Sequence, residues 1–251
     1  MNLKEQINSQ LLIFLRGMED GEVFRVDDFN AVHRFNASQL SRVLSVMAEQ
    51  GIVVKLSKGV YAKGSGDGKP LHPEDMIRDC IFDNTGGRVG YLTGHSYLVS
   101  AGLVKDYRDK IAVAVAKKRG DISRGGMTFR FVEQPLPIND QTYELLQMLD
   151  ALRGINRVGA EVSSDAVYEH VKANIKLMSP ARVDRMTGLA LGYPHMVRAL
   201  LGSIVDTTHG IVSASRLMIS LNCTTVTPVN LSPDVLPNAG PWRLSYKVKK
   251  Q

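Results

Sequence analysis

Cysteine is nearly absent: the 251 residues hold two, Cys80 and Cys223. They lie far apart, and neither belongs to a Cys-x-x-Cys or Cys/His pair, so the pattern offers no zinc site. In a reducing compartment both read as buried or incidental thiols. Long apolar runs are lacking too. The LLIFL stretch at residues 11–15 is too short, and too soon followed by Arg16, for a signal-peptide core or a membrane span, so a cytoplasmic protein with no membrane partner is expected. Nor is the composition one-sided. Hydrophobic residues at 44% and charged residues at 22% lie near the globular average, which excludes a disordered tail, a coiled coil and a collagen-like chain. The net charge of +6 is modest, so its location matters more than its size.

The residue sets of catalysis are missing as well. A nuclease core needs an acid and a Glu-x-Lys on adjacent strands to hold a divalent metal, and IAVAVAKK has alanine where the acid belongs. Asp106 and Asp109 are three apart in a loop, not the Asp-x-Asp of a nucleotidyltransferase. Residues 64–69, GSGDGK, have the wrong gap for a phosphate loop, and Pro70 stands where Ser or Thr would bind magnesium. His33, His72, His95, His170, His195 and His209 include no i, i+4 pair on a helix, and no Ser or Cys sits in a nucleophile elbow. His95 in TGHSY comes nearest, and reads instead as a half-buried residue behind a helix-capping Thr93. No catalytic residue, metal ligand or cofactor is expected, and the chain reads as a non-enzyme.

The chain breaks at GSGDGKP (64–70) and near Pro137. The expected class is α+β in three parts: residues 1–69, an α+β part at 70–138, and a helical part at 139–251 ending in a Pro-rich tail with Trp242 as anchor. In the first part Leu11, Leu12, Leu15 and Met18 predict a helix over 3–17, and VDDFNAVH predicts a second over 26–33. Asn36 caps a third, with Leu40, Val43, Leu44 and Met47 on one stripe. IVVKLSKGVYAK (52–63) then reads as two β runs joined at Ser57-Lys58-Gly59.

Three helices and a hairpin are the order of a winged helix-turn-helix. A major groove admits one helix and rewards short hydrogen-bonding side chains and arginine on its exposed face, while hairpin lysines reach the neighbouring phosphates. The expected DNA contacts are therefore Ser38, Gln39, Ser41, Arg42 and Ser45 on the third helix, with Lys55, Lys58 and Lys63 on the hairpin. The competing reading is a small three-helix core with a solvated hairpin. Residues 1–69 hold nine Lys and Arg against eight Asp and Glu, which argues against strong non-specific binding by this part alone.

GEVFRVDDF, GIVVKLSKGVYAK and RVGYLTGHSYLVSAGL together resemble the AbiEi antitoxin family of type IV toxin–antitoxin systems. LALGYPHMVRALLGSIVD (189–206) and SLNCTTVTPVNL (220–231) resemble the helical end of its longer members. The resemblance implies a DNA-binding transcriptional autorepressor, acting on operator inverted repeats as a monomer or homodimer, that also counteracts a nucleotidyltransferase-like toxin. The alternative is a stand-alone winged-helix regulator whose remaining part senses a ligand or dimerises.

The charge excess concentrates downstream. Residues 105–130 carry eight Lys and Arg against three Asp, with KKRG ending a strand. Such a cluster suits a phosphate backbone or an acidic protein face; alternatively it is a solvated loop. In the resemblance reading Lys117, Lys118, Arg119 and Arg124 form a basic face toward nucleic acid or partner. Beyond it, residues 142–155 and 163–178 and the segments opened by Pro180 and Pro194 read as short stacked helices.

Overall fold

Ile7, Leu11 and Leu15 recur every fourth residue and are fully or nearly buried, so Leu3–Arg16 forms helix α1 with one face committed to a core. The computed structural model describes residues 3–65, 71–83 and 85–247. Of the glycine-rich break expected at 64–70, residues 66–70 lie outside the described residues. Strand β1 (Val23–Arg25) follows, then α2 (Val26–His33) and α3 (Ala37–Glu49). The Asn36 side chain accepts from the Ser38 amide at 2.9 Å and closes the first turn of α3. Asn36→Ala is expected to cost about 1 kcal/mol of unfolding free energy in urea titration.

Strands β2 (Val53–Ser57) and β3 (Val60–Lys63) form the expected hairpin, and β1 adds to it antiparallel in the order β1–β3–β2. Phe24 on β1 faces Tyr61 on β3 in this register. Their side chains pack with Phe29, Leu40, Leu44 and Met47 in one apolar cluster. β1 was not legible in the sequence, because three residues carry too little alternation to register as a strand.

Short helices α4 (Pro73–Met76) and α5 (Arg78–Ile81) come next, then β4 (Gly90–Thr93), α6 (His95–Ser100) and β5 (Lys110–Val115). β6 (Ile122–Arg124) and β7 (Met127–Glu133) pair antiparallel across Gly125-Gly126, both at positive φ as a two-residue hairpin turn requires. The strand order is β4–β5–β7–β6. Helices α7 (Tyr143–Gly154), α8 (Ser164–Lys176), α9 (Pro180–Ala190), α10 (His195–His209) and α11 (Ile211–Ser220) follow, and the tail contributes a parallel pair, β8 (Thr227–Val229) with β9 (Leu244–Tyr246). The chain is thus mixed helix and strand, of α+β type.

Two compact units divide the chain elsewhere than at the Gly and Pro breakers. Residues 1–90 with 119–130 form one unit; residues 91–118 with 131–251 form the other. The β6–β7 turn belongs to the first unit because polar bonds tie it there. The Gly125 amide donates to the Leu56 carbonyl at 3.2 Å, and Arg124 pairs with Asp79 on α5. In the second unit, α7 to α10 enclose a continuous apolar core to which Val229, Leu236, Trp242 and Leu244 of the tail contribute. Among the described residues, no helix is long and apolar enough to cross a membrane.

Candidate nucleic-acid interface

With Leu40, Val43, Leu44 and Met47 buried, the opposite face of α3 presents Ser38, Gln39, Ser41, Arg42 and Ser45, all five exposed. They are chemically unequal. The Ser38 hydroxyl donates to Asn36 Oδ1 at 2.7 Å, and the Ser45 hydroxyl donates to the Ser41 carbonyl at 2.9 Å, so both protons are held within the helix. Ser41 hydrogen-bonds with the Tyr61 phenol, whose pKa burial pushes up against the lowering effect of that bond. Gln39 and Arg42 have no partner among the described residues.

The hairpin lysines also separate. Lys55 on β2 and Lys58 in the β2–β3 turn are exposed and unpaired. Lys63 is turned inward. Its ammonium donates to the Met18 carbonyl at 2.8 Å and pairs with Asp20 at 3.1 Å, which locks the end of β3 to the segment after α1. Arg34, alone between a helix end and a cap, is a residue that no sequence pattern singles out. It lies between α2 and α3 at φ 54, its amide donating to the Asn30 carbonyl at 2.8 Å and its exposed side chain without a partner among the described residues. Among the described residues of this segment the exposed cations with unpaired side chains are therefore Lys4 and Arg16 on α1 together with Arg34, Arg42, Lys55 and Lys58, and Asp27 and Asp28 are exposed at the opposite end of α2.

The second basic set is not uniformly exposed. Lys117 and Lys118 are exposed where β5 ends, in the second unit. Arg119 and Arg124 belong to the first, where Arg119 donates to the Cys80 carbonyl at 3.3 Å. Arg124, expected on the surface, is 5% exposed. Its guanidinium donates to the Met76 carbonyl at 2.7 Å and to both Asp79 oxygens, at 2.5 and 3.0 Å. Strand alternation next to the tight turn directs it inward, and a buried guanidinium requires this full set of acceptors. The remaining charge in residues 105–130 is partly neutralised, Arg108 by Glu161 at 3.3 Å and Arg130 by Asp121 at 3.6 Å.

No family model matches the chain, and no curated protein matches it. A solved structure does. The RV2827C protein from Mycobacterium tuberculosis aligns with a TM-score of 0.53 at 12% identity, over 95% of this chain and 90% of that one. At that identity the likeness is one of fold.

Polar chemistry that the sequence did not signal lies inside the second unit. Asp150 on α7 is buried, its Oδ2 accepting from Tyr91 Oη at 2.9 Å and Thr93 Oγ1 at 2.8 Å, its Oδ1 from Tyr193 Oη at 3.0 Å. Gln134 Nε2 donates to both phenols at 2.9 Å. Burial first, and the neighbouring carboxylate second, push the Tyr91 and Tyr193 hydroxyls far above the ordinary tyrosine range, so both remain donors. Every member is satisfied, which makes this a clamp between β4 and α7. Thr93 is committed here and does not cap α6, whose N-cap position is Gly94. His95 Nε2 lies 3.0 Å from the Asp106 carbonyl. Of the cysteines, Cys80 is buried and Cys223 exposed. Among the described residues no group of three or more His, Cys, Asp or Glu is placed to hold a metal.

Proposed function

We propose that residues 3–63 are a winged helix-turn-helix, with α3 read into a major groove and the β2–β3 turn set on the adjacent phosphates. The chain is then an AbiEi-like antitoxin of the cytoplasm that represses its own operator and counteracts a nucleotidyltransferase-like toxin. The observation that carries this reading is the unpaired trio Arg42, Lys55 and Lys58, exposed on one helix and hairpin of a segment that is almost neutral as a whole. Free guanidinium and ammonium groups are what base edges and phosphates need, and Arg–guanine contacts carry about 1–3 kcal/mol of discrimination.

Fluorescence anisotropy on the DNA upstream of the gene tests it. Arg42→Ala is expected to weaken binding by about tenfold and to relax sequence preference. Lys58→Ala should weaken specific and random DNA alike and reduce the salt slope by about one. Lys63→Ala, whose charge is already spent on Asp20 and Met18, should leave affinity unchanged. Equal affinity in wild type, Arg42→Ala and Lys58→Ala would remove the DNA reading. For the antitoxin part, co-expression with the adjacent gene is scored by growth rescue, and a neighbour harmless on its own refutes it.

The stand-alone regulator has one observation in its favour. A groove of about 560 Å3 in the second unit is lined by Tyr97, Glu144, Gln147, His170, Asn174 and Arg182. Burial lowers the His170 pKa, and burial with the Glu144 charge pushes the Tyr97 phenol up to about 12, so both line the groove as neutral groups at pH 7. A small-molecule effect on operator affinity that Arg182→Ala removes would favour the regulator.

A further inference from the structure

Helix α11 is half dressed. Ala214 and Leu217 are buried beneath it, yet Val212 is 84% and Ile219 85% exposed, one above the other at i, i+7, with Ile211 exposed beside them. Leu177, at the end of α8, is 87% exposed. It lies at the same end of the bundle, because His209 Nε2, just before α11, is 3.2 Å from the carbonyl of the adjoining Met178. Scattered apolar side chains on a surface are ordinary, but three large ones share the exposed side of one helix, Ile211, Val212 and Ile219, and Leu177 at the end of α8 borders the groove beside Tyr97 and Arg182 near the start of that helix.

The charges around this stripe are of one dominant sign. Arg216 stands between Val212 and Ile219 on α11, Lys176 precedes Leu177, and Arg185 lies on α9 one turn before Gly188. The Arg216 guanidinium lies over Gly188, 3.6 Å from where a β-carbon would be. All three cations are unpaired among the described residues; the acids nearby are Asp184, exposed on α9, and Glu144, which lines the groove with Leu177 and is paired with Arg182. A second copy laid on this face across a two-fold axis would bring Arg216 toward its own equivalent, a like-charge approach with a cost of desolvation as well as repulsion. An acidic amphipathic helix meets no such penalty: its apolar stripe covers Val212, Ile219 and Leu177 while its carboxylates face Lys176, Arg185 and Arg216.

We infer that the outer face of α11, with Leu177 at its end, docks an amphipathic helix with acidic flanks from a partner protein. This deepens the antitoxin reading by giving its partner contact a location on the second unit, and it needs neither operator nor toxin to be tested. The probe is a helical peptide of about 18 residues, long enough to hold its fold, with leucine on one face and glutamate on the other; its twin has lysine for every glutamate. Anisotropy with the full chain is expected to show the acidic peptide binding at least tenfold more tightly than the twin, with Arg216→Glu inverting the preference. Val212→Asp combined with Ile219→Asp should abolish binding of both, while thermal melting and operator affinity stay as in wild type, since neither side chain is in the core. Twins that bind alike, an acidic peptide that does not bind, or unchanged binding by the double variant each overturn the inference. So does sedimentation showing a wild-type dimer that the double variant dissolves, which would assign the face to a second copy.

Discussion

Trp242→Ala is expected to lower the unfolding free energy by about 3–5 kcal/mol, read from the midpoint of denaturant unfolding by circular dichroism. The indole is fully buried although it belongs to a tail that contains four prolines, at positions 228, 233, 237 and 241. Its Nε1 donates to Asp206 Oδ2 at 3.1 Å, and its ring lies on α10 where Gly202 leaves the backbone bare. A β-carbon at Gly202 would stand 1.9 Å from the ring atom Cζ3, so ring and helix meet only because position 202 has no side chain. Removing the ring leaves a cavity floored by that glycine, which a rigid helix cannot move in to fill. It also strips Asp206 of a donor, although Asn238 Nδ2 remains at 3.4 Å. Gly202→Ala approaches the same contact from the other side, and is expected to lose about 1–3 kcal/mol or more through overpacking. Either variant should also release the β8–β9 pair, detectable as faster amide exchange at Thr227 and Lys247, whose amides donate across the pair to the Arg243 and Val229 carbonyls at 2.9 Å.

Arg124→Met is expected to cost the first unit about 3 kcal/mol, because it deprives the largely buried Asp79 carboxylate, 19% exposed, of its main partner. Arg25 remains 3.0 Å from Asp79, but at 55% side-chain exposure its charge is screened by water and replaces little of what is lost. The double variant Arg124→Met with Asp79→Leu should recover most of the stability, since an apolar pair of similar volume carries no buried charge. Failure of that recovery would locate the loss in the β6–β7 hairpin itself. The pair also has a pH signature. Burial alone would raise the Asp79 carboxyl, but hydrogen bonding and charge from Arg124, with Arg25 added, outweigh it and hold the group below the usual carboxylate range. A folded-state pKa below the unfolded one contributes stability above the unfolded value and loses it as pH falls through the folded value. The gap between wild type and Arg124→Met is therefore expected to be full at neutral pH and to close below about pH 4.

Helices were legible wherever an apolar stripe met a cap. Asn36 before Ala37, Ser163 before Ser164 and Pro180 at the head of α9 all stand where periodicity and capping chemistry put them. The β2–β3 hairpin was legible because Lys58-Gly59 separates two β-rich runs, and Gly59 adopts the positive φ the turn needs. The expected interface was legible only as a set of residue types. Which of its members keep a free hydrogen-bonding group is a matter of neighbours: Lys63 is spent on Met18 and Asp20, while Arg42, Lys55 and Lys58 are not.

Charge shows the same boundary most plainly. The run from Lys105 to Arg130 reads as one basic patch, yet Arg124 is inside the protein and Arg119 bonds the Cys80 carbonyl, while Lys117 and Lys118 belong to the other compact unit. Local sequence determined which segments become helix or strand and which face of each is apolar, since spacing and caps act within a few residues. The tertiary structure alone decided which polar groups find partners. Asp79 meets Arg124 across 45 positions of chain and Tyr91 meets Asp150 across 59, and no pattern of neighbours along the chain encodes contacts made at that range.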